Sequence, residues 1–329
     1  MTPKPQATRA GLKAESFTVP ALDPGIRLFV ASRRPASKTD FPGSKIVLFV
    51  HGSTSPGSAA FDAPLPGGSW MDFMAGKGFC AYALDYRGYG RSTRPASMDE
   101  PPGKNPPYTR TVDAVRDLKA VVDWIRKRHN VKKIQLVAWS WGCVVSGQYA
   151  VESPEAVLRL ALFAPLFLLD RPRADTDDHY RNVTRESASA DRVRDIPPGR
   201  EEEISPTAWF DRAWAANLAT DSKGAKQSPP FMRAPNGTVK DMFLYWSQGK
   251  MTYDPAKIRT PVFIITGEWD QVTPIATSLK LLARLGNSPY RRMEILPEAT
   301  HMALHEKNRL LLFRAVHRFL AEKIPHDLP

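Results

Sequence analysis

The segment IQLVAWSWGCVVS, residues 134–146, changes its hydrophobic periodicity at Ser140. From Ile134 to Val137 the residues form the short, largely apolar run that is typical of a strand buried on both faces of a parallel sheet. From Trp141 to Tyr149 the apolar residues recur at the spacing of a helix. The sequence therefore predicts that Ser140 lies in a turn that joins a strand directly to a helix.

Small residues flank this serine, with Ala138 two positions before it and Gly142 two positions after it. Such a turn forces the serine towards an unfavourable backbone conformation and requires the strand and helix to approach closely. The pattern resembles the nucleophile elbow of the α/β-hydrolase family, with Ala138 in place of the first glycine of G-x-S-x-G. The resemblance implies that Ser140 is an exposed nucleophile and that the helix N-terminus faces any oxyanion beside it. A serine that only caps a buried helix is the alternative interpretation of these five residues.

The length and composition limit the class of protein. A chain of 329 residues with 42% hydrophobic content is long enough for one large α/β domain with an insertion, or for two ordinary domains. The two cysteines, Cys80 and Cys143, are expected to be buried thiols, which favours a reducing compartment. Residues 1–16 lack the apolar core of a signal peptide, and no membrane-spanning run occurs. We therefore expect a soluble, cytoplasmic protein.

The net charge of +12 raises the question of nucleic-acid binding. Lysine and arginine are scattered among acidic residues, and the sequence contains no helix-turn-helix, zinc-ligand spacing or aromatic RNA-binding motif. We expect the charge to affect solubility and the attraction of anionic small molecules, and we expect no nucleic-acid partner.

Strands and helices alternate on both sides of the elbow. Two strands at 17–19 and 26–31 surround an Asp-Pro-Gly turn, and further strands are predicted at 46–50, 79–84, 158–163, 262–266 and 292–296. Helices are predicted at 111–129, capped by Thr111 and ended by Asn130, and at 274–285. Together with the resemblance, this alternation predicts an α/β-hydrolase fold, a mostly parallel sheet flanked by helices.

The alternation breaks down between Pro165 and Pro261, where charged, proline-containing segments surround two predicted helices. The first helix begins at residues 205–206. The second begins with a capping box formed by Thr238 and Asp241 and stops at Gly249. In the resembled family an insertion at this point forms a cap over the active site. We therefore expect a core of residues 1–165 and 259–329 and a mainly helical cap of residues 166–258.

Three residues occur in the chain order nucleophile, acid and base that the resembled family uses. Ser140, Asp270 and His301 each follow a predicted strand, so all three fall in loops at the same end of a parallel sheet. The resemblance implies that His301 is the general base and that Asp270 orients it. A serine at the elbow argues against epoxide hydrolases and haloalkane dehalogenases of this fold, which have aspartate there.

A small-residue loop, HGSTSPG at 51–57, follows the predicted strand at 46–50 and can bring backbone amides close to a substrate. The resemblance implies that the amides of Ser53 and Trp141 form an oxyanion hole. A turn without any catalytic role is the alternative for this loop.

The insertion supplies candidate substrate-binding residues, which are large aromatic side chains on its two predicted helices. They are Trp209, Trp214, Phe243 and Trp246. If the insertion overhangs Ser140, some of them line an apolar pocket, and packing between cap and core is the alternative for each.

No metal and no cofactor are predicted. Asp175, Asp177, Asp178 and His179 are interpreted as a solvated loop. His305 lies four residues after His301, and we interpret it as a residue in the first turn of the last helix.

These expectations predict a serine hydrolase that cleaves small to medium carboxylic esters through an acyl-enzyme on Ser140. Residues 85–93 and the Ser-Trp-Gly at 140–142 also resemble proline iminopeptidases, but residues 51–55 depart from the His-Gly-Gly-Pro-Gly of that group. Such an aminopeptidase would need carboxylates for the substrate's ammonium group, for which residues 201–203 are the dense candidates. A non-catalytic ligand-binding protein is a further alternative. Lactonase, thioesterase, carbon–carbon hydrolase and haloperoxidase activities also remain open.

Overall fold

Eight strands form one sheet in the computed structural model, which describes residues 10–324. Two further strands, β7 and β8, pair separately. In chain order the strands are β1 (Leu12–Pro20), β2 (Arg27–Pro35), β3 (Ile46–Val50), β4 (Cys80–Leu84), β5 (Ile134–Trp139), β6 (Val157–Phe163), β7 (Tyr180–Thr184), β8 (Phe231–Pro235), β9 (Val262–Gly267) and β10 (Arg291–Leu296).

The large sheet has the order β1-β2-β4-β3-β5-β6-β9-β10. Only β2 runs opposite to the other strands, so its pairs with β1 and β4 are antiparallel, and the pairs from β4 to β10 are all parallel. Because parallel strands share one direction, the loops that follow β3, β5, β9 and β10 leave the sheet at the same edge. The predicted α/β fold with a mostly parallel sheet is confirmed.

The central strands are apolar along their whole length because both faces of the sheet are covered. Every residue of β3, β4, β5 and β9 is buried. Alternate residues of β3 enter different cores, with Leu48 on one face and Val47 and Phe49 on the other.

The helices are α1 (Gly57–Ala60), α2 (Trp70–Gly76), α3 (Thr111–His129), α4 (Trp141–Glu152), α5 (Arg185–Val193), α6 (Glu201–Ile204), α7 (Thr207–Leu218), α8 (Gly237–Leu244), α9 (Ile275–Arg284) and α10 (Arg309–Ala321). Helix α3 ends at Asn130, which has the left-handed conformation that the sequence predicts for a helix stop. Its N-cap is Arg110 and not Thr111, because the Asp113 carboxylate accepts a hydrogen bond from the Arg110 amide. Between residues 10 and 324, no helix has the length and apolar character needed to cross a bilayer.

The segment 166–258 contributes no strand to the large sheet and contains α5 to α8 together with β7 and β8. We predicted two helices and no strand here. The strands were missed because YRNVT and FMRAP contain arginine, asparagine and proline, which hide the usual strand pattern.

The predicted capping box of Thr238 and Asp241 is wrong. Helix α8 begins after Asn236, and the Asp241 carboxylate instead accepts hydrogen bonds from the amide and hydroxyl of Thr111, each 2.7 Å long. Thr111 lies at the start of α3, so a contact between distant residues replaces the local one. Helix α8 also ends at Leu244, and a short 3-10 turn separates it from Gly249.

Candidate active site

The turn between β5 and α4 holds Ser140 at φ 57° and ψ −120°, a conformation that is rare outside glycine. The Ser140 amide donates to the Phe163 carbonyl oxygen over 3.0 Å, which fixes the turn against the neighbouring strand. A Cβ atom on Gly142 would lie 2.3 Å from the carbonyl oxygen of Val50. Only glycine therefore allows α4 to approach β3 this closely, and the predicted strand-to-helix turn is present.

The side chains of Ser140, His301 and Asp270 form a continuous chain of hydrogen-bonding distances. His301 Nε2 lies 3.0 Å from Ser140 Oγ, and His301 Nδ1 lies 2.9 Å from Asp270 Oδ2. Ser140 and His301 are each 8% exposed and Asp270 is 1% exposed. With the proton of the neutral ring on Nδ1, Nε2 is free to accept the serine proton.

The orientation of the Asp270 carboxylate is fixed by its other partners. Oδ1 accepts from the amides of Val272 and Thr273, each over 2.8 Å, and Oδ2 accepts from the Thr273 hydroxyl over 2.8 Å. Sequence analysis did not identify Thr273. The signal for it was the Asp-x-x-Thr-Pro pattern before a helix, in which an aspartate commonly accepts from the following amides.

The loop that carries His301 is held from two sides. The Trp139 indole N–H donates to the His301 carbonyl oxygen over 3.0 Å. The Glu306 carboxyl is fully buried and accepts from the Thr300 hydroxyl over 2.5 Å and from the Thr300 amide over 3.3 Å. Burial, with smaller effects of Asp270 and Asp195, raises the pKa of Glu306 to about 7. Sequence analysis missed Trp139 and Glu306 as contacts of this loop because nothing local marks them.

The loop after β3 is ordered by His51. His51 Nδ1 donates to the Gly52 carbonyl oxygen over 2.7 Å and Nε2 accepts from the Tyr86 amide over 3.2 Å. Burial lowers the pKa of His51 to about 3, so its ring is neutral. Because a trans peptide places C=O and N–H on opposite sides, this bond also sets the direction of the Ser53 amide.

The two amides expected to form an oxyanion hole are free to donate. A Cβ atom on Gly52 would lie 3.1 Å from Ser140 Cβ, so the loop after β3 passes directly beside the serine. Within residues 10–324, neither the Ser53 amide nor the Trp141 amide has an acceptor. Two free donors beside a nucleophile can stabilise a developing negative charge.

A cavity of about 60 Å³ lies between the insertion and the loops that follow Ser53 and His301. Trp214 lines it together with Thr54 and Met302. Sequence analysis missed the other apolar side chains of its wall. They are Val183, Ala188, Phe210, Ala213 and Met232.

The structure places the other three candidate aromatic residues away from this cavity. Trp246 is 1% exposed and belongs to the core beneath one face of the sheet. Trp209 packs against the small cluster of Ala63, Leu65 and Ala213, and its ring centroid lies 4.4 Å from the Arg309 guanidinium. Phe243 is partly buried, with Lys240 5.9 Å from its ring. These three residues pack against other side chains and do not line this cavity, and their contact with a substrate stays a prediction.

The acidic residues considered as alternative sites have other partners. Arg200 pairs with Glu203 over 2.6 Å, and Glu202 accepts from the Thr207 amide over 3.0 Å. Asp175 and Asp177 both pair with Lys240. In the described part of the chain, no three His, Cys, Asp or Glu side chains are grouped as metal ligands.

We predicted that His305 lies in the first turn of the last helix. This prediction is wrong, because α10 begins at Arg309. Its Nε2 bonds to the Ala60 carbonyl oxygen over 2.9 Å. Burial lowers the pKa of His305 to about 4, so it is a neutral structural histidine.

Comparisons with known proteins agree with the fold. Three solved structures share the fold at low sequence identity. A serine hydrolase involved in carbazole degradation is 18% identical, with a TM-score of 0.62 over 94% of this chain and 99% of that one. A mutant epoxide hydrolase from Vigna radiata is 19% identical, with a TM-score of 0.59 over 93% and 98% of the two chains. A thermophilic esterase from Thermogutta terrifontis is 18% identical, with a TM-score of 0.57 over 93% and 98%.

A search of curated proteins found no match. A family model described as the alpha/beta hydrolase fold matches residues 45–308, which include Ser140, Asp270 and His301. This match covers most of the chain, so the protein belongs to the α/β-hydrolase family and is a hydrolase of that superfamily.

Proposed function

We propose that this protein cleaves carboxylic esters of small to medium substrates through an acyl-enzyme on Ser140. The observation that carries the proposal is the hydrogen-bonded series Asp270, His301 and Ser140, with distances of 2.9 Å and 3.0 Å. A serine hydroxyl is a weak nucleophile until a positioned base removes its proton, and this series provides that base.

In the proposed reaction, Ser140 Oγ attacks the acyl carbon while its proton passes to His301 Nε2. Asp270 orients the imidazole and stabilises its charged form. The tetrahedral intermediate collapses, and the alcohol leaves with the proton from His301. A water molecule then attacks the acyl-enzyme with His301 again as base, which releases the acid and restores Ser140.

The amides of Ser53 and Trp141 receive the carbonyl oxygen as it becomes negative. Each such donor in a water-poor site lowers the barrier because it stabilises the transition state more than the substrate. The neutral ring of His51 supports this role by setting the direction of the Ser53 amide.

We propose that residues 166–258 act as a cap and that Trp214 forms part of the acyl pocket. The cavity of about 60 Å³ that it lines is mainly apolar and borders the residues that follow Ser53 and His301, which supports a small apolar acyl group as its occupant. An aminopeptidase is the weaker candidate, since Glu202 and Glu203 already bond to Thr207 and Arg200.

A cytoplasmic location is supported by two buried, unpaired cysteines, Cys80 and Cys143.

The test compares p-nitrophenyl acyl esters of increasing chain length with a prolyl arylamide, using the unaltered protein and Ser140→Ala. We expect hydrolysis of short acyl esters that depends on Ser140, and a single covalent adduct with an organophosphonate at Ser140. A higher specificity constant for the prolyl arylamide would support the aminopeptidase. Adduct formation at another residue would contradict the assignment of the nucleophile.

A further inference from the structure

Arg181, on strand β7 of the insertion, reaches across to the loop that follows β3. Its Nη2 donates to the Ser53 carbonyl oxygen and to Thr54 Oγ1, each over 2.8 Å. Its Nη1 donates to the Pro235 carbonyl oxygen over 3.1 Å and to Asn236 Oδ1 over 3.0 Å. One guanidinium therefore joins the two strands of the insertion to the loop beside Ser140.

All four acceptors are electrically neutral. Within residues 10–324, no carboxylate lies within ion-pair distance of Arg181. Burial lowers the pKa of Arg181, and the opposing effect of Asp191 is smaller. Asp191 itself is exposed and pairs with Arg194 over 2.8 Å. The positive charge of Arg181 is therefore not neutralised by an adjacent anion.

Two other arginines that contact the insertion or the loops near it have a buried carboxylate partner. Arg233, on β8, pairs with Asp221 over 2.7 Å, and Arg87 pairs with Asp117 over 2.6 Å. Removing a cation from water without a counter-ion costs free energy, so such a group is uncommon in a purely structural role. Arg181 is partly buried without such a partner, and it lies next to the expected oxyanion donor.

The hydrogen bonds of Arg181 complete the fixation of Ser53. His51 holds the peptide group before Ser53 through the Gly52 carbonyl oxygen. Arg181 holds the peptide group after it through the Ser53 carbonyl oxygen, which also accepts from the Tyr89 hydroxyl over 3.0 Å. Both peptide groups next to Ser53 are therefore held by hydrogen bonds, which restricts rotation of the Ser53 amide.

We propose that Arg181 is a positioning residue of the oxyanion hole, which fixes the Ser53 amide and places an uncompensated positive charge beside the oxyanion as it forms. This inference rests on the proposed esterase function. If Arg181 only linked the insertion to the core, its replacement would lower thermal stability and would weaken the binding of neutral and anionic ligands equally. The proposed role instead stabilises the negatively charged transition state selectively.

The experiment measures kcat and KM for a short acyl ester with Arg181→Met and Arg181→Lys. It also measures the inhibition constant of a trifluoromethyl ketone, whose adduct with serine carries an anionic oxygen. For Arg181→Met we expect kcat to fall by up to about 100-fold, the lower limit for the loss of one oxyanion donor, because the Ser53 amide itself remains, with little change in KM. The inhibition constant of the trifluoromethyl ketone should rise by a similar factor, and that of the neutral alcohol product should stay the same.

Arg181→Lys retains the charge but cannot bridge four acceptors. Its kcat should therefore be about tenfold higher than that of Arg181→Met and still below that of the unaltered protein. Arg314→Met, an exposed position on α10, is the matched control for net charge and should behave like the unaltered protein. If Arg181→Met does not fold, the test rests on Arg181→Lys, which must show a lower kcat with an unchanged KM.

The proposed role of Arg181 would be overturned by an unchanged kcat in a folded Arg181→Met protein, or by an equal loss of binding for the ketone and the alcohol product. Either result would leave the proposed esterase function standing. Absence of any Ser140-dependent hydrolysis in the unaltered protein would overturn the esterase function and, with it, this inference.

Discussion

The loops at the edge of the sheet and the insertion of residues 166–258 differ in how far apart along the sequence their stabilising contacts lie. The Ser140 turn depends on neighbours in sequence, since an apolar strand, a small Gly142 and a following helix are contiguous. The start of α8 depends on Asp241 and its bonds to Thr111, 130 residues away. Local patterns therefore predict the first region well and the second poorly, and four substitutions test this difference.

The largest effect is expected for Asp270→Asn in the edge loops. An amide at this position can donate to His301 Nδ1 and favour the wrong tautomer, so kcat should fall about 10⁴-fold with little change in KM. Steady-state kinetics and circular dichroism would show whether activity is lost in a folded protein. Nearly full activity would mean that another carboxylate orients the histidine.

The second effect concerns the turn itself and is expected in Gly142→Ala. The new Cβ atom would lie 2.3 Å from the Val50 carbonyl oxygen, so strand and helix must separate, at a cost of about 3 kcal/mol. The matched control is Gly76→Ala in α2, where no atom lies within 4 Å of the new methyl group. Urea unfolding should show a loss of stability in the first variant only, and equal stabilities would show that the close approach can relax.

A smaller effect is expected for Asp241→Asn in the insertion. The carboxylate is 2% exposed and accepts from the amide and hydroxyl of Thr111, and an amide group would leave one donor unsatisfied. We expect the free energy of unfolding to fall by about 2 kcal/mol. Asp211→Asn, an exposed partner of Arg185, should cost less than about 0.5 kcal/mol. Similar losses in both variants would contradict the importance of the long-range contact.

The fourth effect depends on pH and concerns Glu306. Its pKa of about 7 in the folded protein lies above the ordinary value of 4.5, so between these values the folded state keeps a proton that the unfolded state releases. The free energy of unfolding contributed by this group therefore falls as pH rises from about 4.5 to about 7. Glu306→Gln cannot ionise, so its stability relative to the unaltered protein should increase from pH 5 to pH 8.

Denaturant unfolding at both pH values measures this change, with the exposed Glu155→Gln as the control. A difference between Glu306→Gln and the unaltered protein that does not change with pH would show that Glu306 stays ionised throughout the range.

Several features were predictable because residue type and spacing along the chain dictate them. The buried strands are continuous apolar runs, and Asn130 marks the end of α3. Ser140, Asp270 and His301 were predicted from the resemblance to α/β-hydrolases, and each follows a strand of a parallel sheet, whose carboxyl ends meet at one edge. The topology brings these loops to one edge, and the tertiary structure sets the hydrogen-bonding distances between the three side chains.

The tertiary structure alone decided which residues support those three. Thr273 and Glu306 bond to the acid and to the neighbour of the histidine, and Arg181 reaches Ser53 from 128 residues away. The same holds for Trp214, which faces the cavity, while Trp246, on the same insertion, is buried in the core. An aromatic or charged side chain carries no local mark of its partner, because that partner is chosen by the packing of elements distant in sequence. The sequence by itself thus determined the sheet and the order of its functional loops, and only the folded chain decided what holds those loops in place.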